Sequence, residues 1–243
     1  MVEQSKNSIR ISGSGTATGG MYDTVRIDGT GQITGDIECL TFTSNGSSSV
    51  DGSIIASEMT TNGSARVSGH AQVERFVANG SVMVEGHVSA QRVTNSGAVR
   101  VHGNLNAEEV NCTGEIKIGG SCQAKSVKVT GSFHIQEQLH ADQIDITLHG
   151  NSDAKEIDGA MIRVVKSKFS LMSLLWLTRT VPRLTAGRIE GDVVELENTE
   201  ASIVQGKRVR IGKHCEIGLL EYEEAYEVSP EANVRQVRRI GEG

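Results

Sequence analysis

The side chains that could do chemistry are few, and their spacing says more than their number. His70 and His87 stand 17 residues apart. In a chain that repeats with that period the two imidazoles would stack about 4.8 Å apart, where a metal could bridge them. No carboxylate or third histidine joins that column, so a solvated surface pair is the plainer reading. Arg66, Arg100, Lys117 and His134 form a second column, interrupted by Met83. They read either as a docking stripe for an anionic partner or as ordinary surface charge. Cys39, Cys112, Cys122 and Cys215 show no CxxC spacing, which suits reduced thiols better than a zinc site or a disulfide framework. Cys112 and Cys122 fall on inward columns, where cysteine packs as a small apolar residue. The outward acids Asp51, Glu74, Glu85 and Glu108 are scattered over different columns and offer no paired carboxylates. No glycine-rich phosphate loop and no Ser-His-Asp order is present. The expectation is a protein that is not an enzyme, with no catalytic, cofactor-binding or metal-binding residues and no small-molecule substrate.

The elements that carry these residues are set by a repeat. Gly29, Gly46, Gly63, Gly80, Gly97, Gly114 and Gly131 are each 17 residues apart, and Gly35, Gly52, Gly69, Gly86, Gly103 and Gly120 keep the same period. With the first ladder as position 0, position 4 reads Ile33, Val50, Val67, Val84, Val101, Ile118, Ile135. Position 8 runs from Ile37 and Ile54 to Leu139, and position 13 from Phe42 and Met59 to Ile144. Positions 2, 10 and 15 are small or apolar. Inward positions therefore pair as 2 and 4, 8 and 10, 13 and 15, each pair at the strand period of two. The longer steps between pairs are corners, and two of the three carry glycine, where a bend could call for positive φ. A 3.6-residue stripe cannot give this pattern, so helix is excluded. The predicted fold is all-β: a single-stranded parallel β-helix, or β-solenoid, with a triangular coil of about 17 residues. Inward steps of 2, 4, 2, 3, 2 and 4 depart from the six-residue rungs of hexapeptide acyltransferases. A shorter first coil, with Ala17 and Met21 inward, precedes the ladders.

The organisation follows. Residues 1–8 form an N-terminal tail and 9–165 the main β-helix. Residues 166–183 interrupt it with an apolar run rimmed by Lys166, Lys168, Arg179 and Arg183. That run, which includes Phe169, Leu171, Met172, Leu174, Leu175, Trp176 and Leu177, is too short to span a bilayer. It reads either as a loop or short helix packed on the solenoid, or as an interfacial membrane or partner contact. Residues 184–221 read as a second, less regular solenoid segment, and 222–243 as a charged cap or tail.

Composition agrees. Aromatic content is 3%, and the 243 residues include 28 Gly but 2 Pro, so neither collagen nor a Pro-rich disordered chain fits. A formal net charge of −6 gives no basic face for nucleic acid. No apolar leader is visible in Met1–Asn7, so a cytoplasmic location is expected.

A glycine-punctuated coil rich in Val and Ala resembles the bactofilins, bacterial polymer-forming cytoskeletal proteins. Blocks such as Asn79-Gly-Ser-Val-Met-Val-Glu-Gly86 and Thr113-Gly-Glu-Ile-Lys-Ile-Gly-Gly120, within Val25 to Ile146, carry the resemblance. It implies a right-handed β-helix, polymerisation through the coil ends without nucleotide, and association with the inner membrane face. It also implies scaffolding of cell-shape, envelope or motility proteins. The inserted segment and the less regular second half depart from the family's pattern.

Assembly is also expected on physical grounds, because a bare solenoid end exposes unpaired strand edges and one open core layer. The candidate polymerisation face comprises Ile9, Ile11, Met21, Val25, Ile211 and Ile217, with a second copy of the chain as partner. The competing reading is a scaffold or adaptor that does not polymerise and presents a flat face to protein partners or membrane.

Overall fold

In a computed structural model that describes residues 8–166 and 181–241, the described chain is all-β and its strands pair in parallel. It divides into two compact units, one ending at Gly120 and the other beginning at Ser121. Unit 1 holds β1 (Ile9–Ile11), β2 (Ser14–Ile27), β3 (Thr30–Ser44), β4 (Ser47–Asp51), β5 (Ile54–Thr61) and β6 (Ser64–Val67), followed by β7 (Ala71–Ala78), β8 (Ser81–Val84), β9 (Val88–Asn95), β10 (Ala98–Val101), β11 (Leu105–Cys112) and β12 (Glu115–Ile118). Unit 2 holds β13 (Cys122–Leu148), β14 (Ser152–Lys166), β15 (Leu184–Leu196), β16 (Thr199–Ile211), β17 (Glu216–Val228) and β18 (Asn233–Arg239).

The registers of unit 1 are those of a β-solenoid. Val50 lies opposite Val67, Val67 opposite Val84, and Val84 opposite Val101, each a coil apart. All four are buried. The position 13 column is filled by Phe42, Met59, Phe76, Val93 and Val110. A scarcity of aromatics does not keep them out of the core: Phe42, Phe76 and Phe133 are among its largest fully buried side chains.

The coil differs from three equal short strands. The corner between positions 10 and 13 does not interrupt hydrogen bonding, so β5, β7, β9 and β11 are each 8 residues long. Along β7 the burial pattern shifts phase at Glu74 and Arg75, two adjacent exposed residues, which swings the chain onto the next face. From β4 to β12 the glycine corners end the strands, whereas β3 runs through Gly35 and β13 through Gly131.

Glycine serves most of those corners by size, with Gly35 alone of the two ladders in positive φ. Gly20 and Gly35 are the only described glycines with positive φ. At Gly46, Gly63 and Gly80 a Cβ would drive into the carbonyl oxygen of the ladder glycine one coil earlier. That same oxygen accepts the next strand's first N–H, as in Ser64 N to Gly46 O at 2.8 Å. The side-chain-free column lets the backbones approach closely enough for the bond.

Unit 2 stacks its own strands in parallel, and beyond Gly131 its glycines no longer follow the 17-residue period. β14 pairs with β15 directly, Ala154 opposite Ala186 and Ile157 opposite Ile189, on either side of residues 167–180. They lie outside the described residues. The pairing continues through β17 onto β18, with Val234 opposite Ile217 and Val237 opposite Leu220. Residues 222–239, read from sequence as a cap or tail, therefore include coil strands.

Candidate assembly surfaces and functional site

The first layer of unit 1 and the last of unit 2 are built from the same columns as the cores, yet they are open. In β2 the inward positions Gly15, Ala17 and Gly20 are exposed or half-buried, whereas their partners in β3, Gly31, Ile33 and Ile37, are buried. In β18 Val237 is 44% exposed, while Leu220 beneath it is fully buried. Tyr226 of β17, in the Val209 column, is 46% exposed. Among the described residues no further strand covers these positions.

This geometry sorts the six residues expected on an assembly face. Ile9 is half-buried and Ile11 just buried, both in the outermost strand of unit 1. Val25 belongs one layer deeper: Ile9 of β1 lies over it, and it has no exposed surface. Ile211 and Ile217 are likewise interior, because Val228 and Val234 stack on them. Met21 is at the end but points outward, 75% exposed. A register shift between Thr18 and Gly20 puts Gly20, not Met21, opposite Ile37. The sequence reading did not place Val228, Val234, Val237 and Tyr226 on the inward columns, where the registers set them. The signal lay in the alternation of Val234 and Val237 within a stretch whose Arg content suggested a tail.

The stacked histidines serve the backbone. Their rings are parallel, with centroids 5.2 Å apart. His87 N donates to His70 Nδ1 at 3.0 Å, and Asn104 N donates to His87 Nδ1 at 2.8 Å. Ser53 Oγ and Asp36 Oδ1 accept from the following coil in the same way. One column of side chains thus captures corner N–H groups, and an accepting Nδ1 places the ring proton on Nε2. Both Nδ1 atoms are therefore committed, and no group of three or more potential ligands that could hold a metal is found among the described residues. A second polar ladder runs from Ser96 through Asn79, Asn62 and Asn45 to Asp28, each side chain bonding the next at 2.7 to 2.9 Å. Arg26 and then Asn45 hold the Asp28 carboxyl below its ordinary range.

The basic column is largely compensated. Arg66 Nη2 is 2.7 Å from Glu85, Lys117 Nζ is 3.0 Å from Glu115, and His134 Nδ1 is 2.5 Å from Asp153. The four cysteines are free and buried. Burial raises the Cys39 and Cys215 thiols to about 11 and the Cys122 thiol to about 12, and it raises Cys112 as well. These are packing groups, far from the thiolate form a nucleophile needs.

Two grooves follow the coils. One in unit 1, of about 770 Å³, is lined by Met21, Tyr22, Leu40 and Ile55 with Glu38 and Glu74; Leu40 and Ile55 are about half exposed. One in unit 2, of about 540 Å³, carries Gly159, Gly191 and Gly206 along its floor. Its charges pair locally, Arg188 with Glu190 and Lys207 with Asp192, both at 2.9 Å. The residues expected to touch membrane or partner, Phe169, Leu171, Met172, Leu174, Leu175, Trp176 and Leu177, lie outside the described residues. No helix among the described residues is long and apolar enough to cross a membrane.

Fold and surfaces together define a parallel β-solenoid with open terminal coils. The chain belongs to the family of the uncharacterized protein YhbE of Bacillus subtilis (strain 168): the two are 58% identical over 233 residues, covering 95% of this chain and 97% of that protein. It is also 40% identical over 103 residues to the uncharacterized protein YhbF of the same organism, covering 42% and 41% of the two chains. No protein-family model and no solved structure matches.

Proposed function

We propose that this protein is a structural, non-enzymatic scaffold that assembles end to end with copies of itself, without nucleotide, and works at the inner face of the cell membrane. The observation that carries the reading is the pair of open end layers. Ala17 and Gly20 in the first coil of unit 1, and Val234 and Val237 in the last coil of unit 2, continue core columns into solvent. Covering such a layer hides a few hundred Å² of apolar surface, which stabilises by several kcal/mol at about 25 cal/mol per Å² before association costs. The resemblance of Val25–Ile146 to bactofilins supports the same reading. Membrane or partner attachment through Phe169–Leu177 rests on the basic rim around an apolar run.

Electron microscopy and sedimentation of the purified chain test the assembly. Filaments or sheets that form without nucleotide support it, and isolated particles at all concentrations overturn it. Co-flotation with anionic liposomes tests attachment: deletion of residues 169–177 should abolish it, and unchanged flotation removes that role from the segment. The exposed Leu40 and Ile55 of the unit 1 groove favour a second reading, a scaffold that binds a protein partner without polymerising. Isolated particles that nevertheless retain such a partner would select it.

A further inference from the structure

We propose that the groove of unit 1 is a docking site for a cationic, extended peptide segment of a partner protein. The segment carries two Lys or Arg three residues apart, with an apolar side chain two residues from the nearer one. This deepens the second reading above, a scaffold that binds a protein partner, and it holds whether or not copies assemble.

The groove is a product of the coil. At the corner without glycine, positions 9 and 11 point outward on either side of position 10, which points in. Position 10 is small: Cys39, Ala56, Val73 and Ala90 lie in register from coil to coil and form a floor. The wall at position 9 holds Glu38, Ile55 and Gln72, and the wall at position 11 holds Leu40, Glu74 and Glu108. All six wall residues are exposed. The groove therefore runs along the stack and across the strands, with one coil every 4.8 Å or about that.

Its chemistry is graded. Leu40 and Ile55 flank the floor from opposite walls near the first coils, and Glu74 and Glu108 stand further along. Among the described residues that line the groove, none is Lys, Arg or His. Glu38 and Glu74 make no hydrogen bond or ion pair with another described residue. Arg75 and Arg92 lie one row further round, in a neighbouring furrow with Glu58 and Glu109. There Arg92 is taken up by Glu109 at 2.7 Å. Exposed carboxylates beside exposed Leu and Ile attract a ligand that is cationic and partly apolar, and they repel phosphate backbones and anionic lipid.

Spacing sets the pattern. Glu74 and Glu108 belong to one row two coils apart, so about 10 Å separates them along the groove. An extended or polyproline backbone advances about 3.1–3.3 Å per residue, so cations three residues apart meet both acids. The Leu40–Ile55 pair is centred about 7 Å before Glu74, two residues away on the same ruler. The chain's own basic run lacks this pattern: Lys166 and Lys168 are two residues apart, and Arg179 and Arg183 four.

Fluorescence anisotropy of the full chain tests the site, with the labelled synthetic peptide Leu-Ser-Lys-Ser-Ser-Lys as probe. Saturable binding is expected, and Glu74→Lys or Leu40→Ser should weaken it by roughly tenfold or more. Both side chains are exposed, so circular dichroism and thermal midpoint should match the parent's, which separates lost binding from lost fold. Asp142→Lys, an equal change of net charge at an exposed site in unit 2, should bind the probe like the parent. An equal loss there means diffuse attraction to an acidic chain and overturns the site. The peptide Leu-Ser-Lys-Lys-Ser-Ser should bind several-fold more weakly, and equal binding overturns the spacing. Glu74→Lys combined with Glu108→Lys should instead take up the charge-reversed Leu-Ser-Glu-Ser-Ser-Glu. If the parent chain does not bind the probe, the groove proposal falls while end-to-end assembly stands. If a peptide of residues 166–183 displaces the probe at equal or lower concentration, the occupant is a second copy and the partner is overturned.

Discussion

A carbonyl oxygen decides what can occupy position 0. At Gly63 an added methyl would collide with the Gly46 carbonyl, whose hydrogen bond to Ser64 N holds the corner. The backbones must separate or the bond must break, so Gly63→Ala is expected to cost roughly 1–3 kcal/mol, the range for overpacking. At Gly13 nothing lies within 4 Å of the added carbon, and Gly13→Ala should be neutral to slightly stabilising. Denaturant midpoints of the two variants against the parent chain check the contrast; equal midpoints would mean that glycine is there for another reason. The position 15 column invites the opposite kind of change. Ser44 and Thr61 are fully buried, and their hydroxyl oxygens have no hydrogen-bond partner, whereas buried Asn95 of the same face donates to Glu115 O and accepts from Gly97 N. An unmatched buried hydroxyl costs about 1–3 kcal/mol. Thr61→Val keeps the volume, removes the hydroxyl, and should raise stability by about 1 kcal/mol, visible as a higher thermal midpoint. The thiols act through pH. Folding raises Cys39 and Cys215 from 9.0 to about 11 and Cys122 to about 12. A raised acid favours the fold fully below its unfolded value, and that contribution fades as pH climbs toward the folded one. Unfolding free energy should therefore fall as pH rises from about 9 to about 11, and replacing Cys122 with Ala should flatten that slope in denaturant titrations.

At the scale of the element, the strands of unit 1 were legible because each coil restates the same pattern. Val67, Val84 and Val101 recur at one spacing, and the structure sets them in one buried file. What stayed hidden has physical causes. A corner that keeps its hydrogen bonds, as between Val73 and Phe76 in β7, leaves no glycine or proline to mark it. The first coil's bulge moves Gly20 into the inward column and turns Met21 out, a one-residue slip that apolarity alone misreads. In unit 2 the corners shorten to three residues and their glycines no longer recur every 17 residues, so the strand after Glu216 and the pairing of β18 had no ladder to announce them. That Val25 and Ile217 are covered within the chain escaped the sequence for a related reason. Sequence identifies a column, but which member is outermost depends on which strands stack beyond it. Val25 and Ile217 were assigned to the right columns and to the wrong layer.

For the whole molecule, that distinction between column and layer separates folding from assembly. Val25 and Val237 are both valines on inward columns, yet Val25 has no exposed surface and Val237 is 44% exposed. A charge placed at Val25 would be buried beneath Ile9 with no partner, a loss of several kcal/mol. Val25→Asp should therefore lower the thermal midpoint of the isolated chain, whatever it does to polymers. Val237→Lys leaves the folded copy's burial nearly intact and adds a charge only on the open layer that end-to-end assembly would cover. It should preserve the circular dichroism spectrum and thermal midpoint while sharply reducing the sedimenting fraction. If Val237→Lys instead sediments like the parent while its fold is intact, β18 lies at no joint, and assembly must use another surface. If it unfolds the chain, Val237 belongs to the stability of unit 2 alone. A gentler Val237→Thr, which trims apolar area without adding charge, then decides whether sedimentation responds to that position.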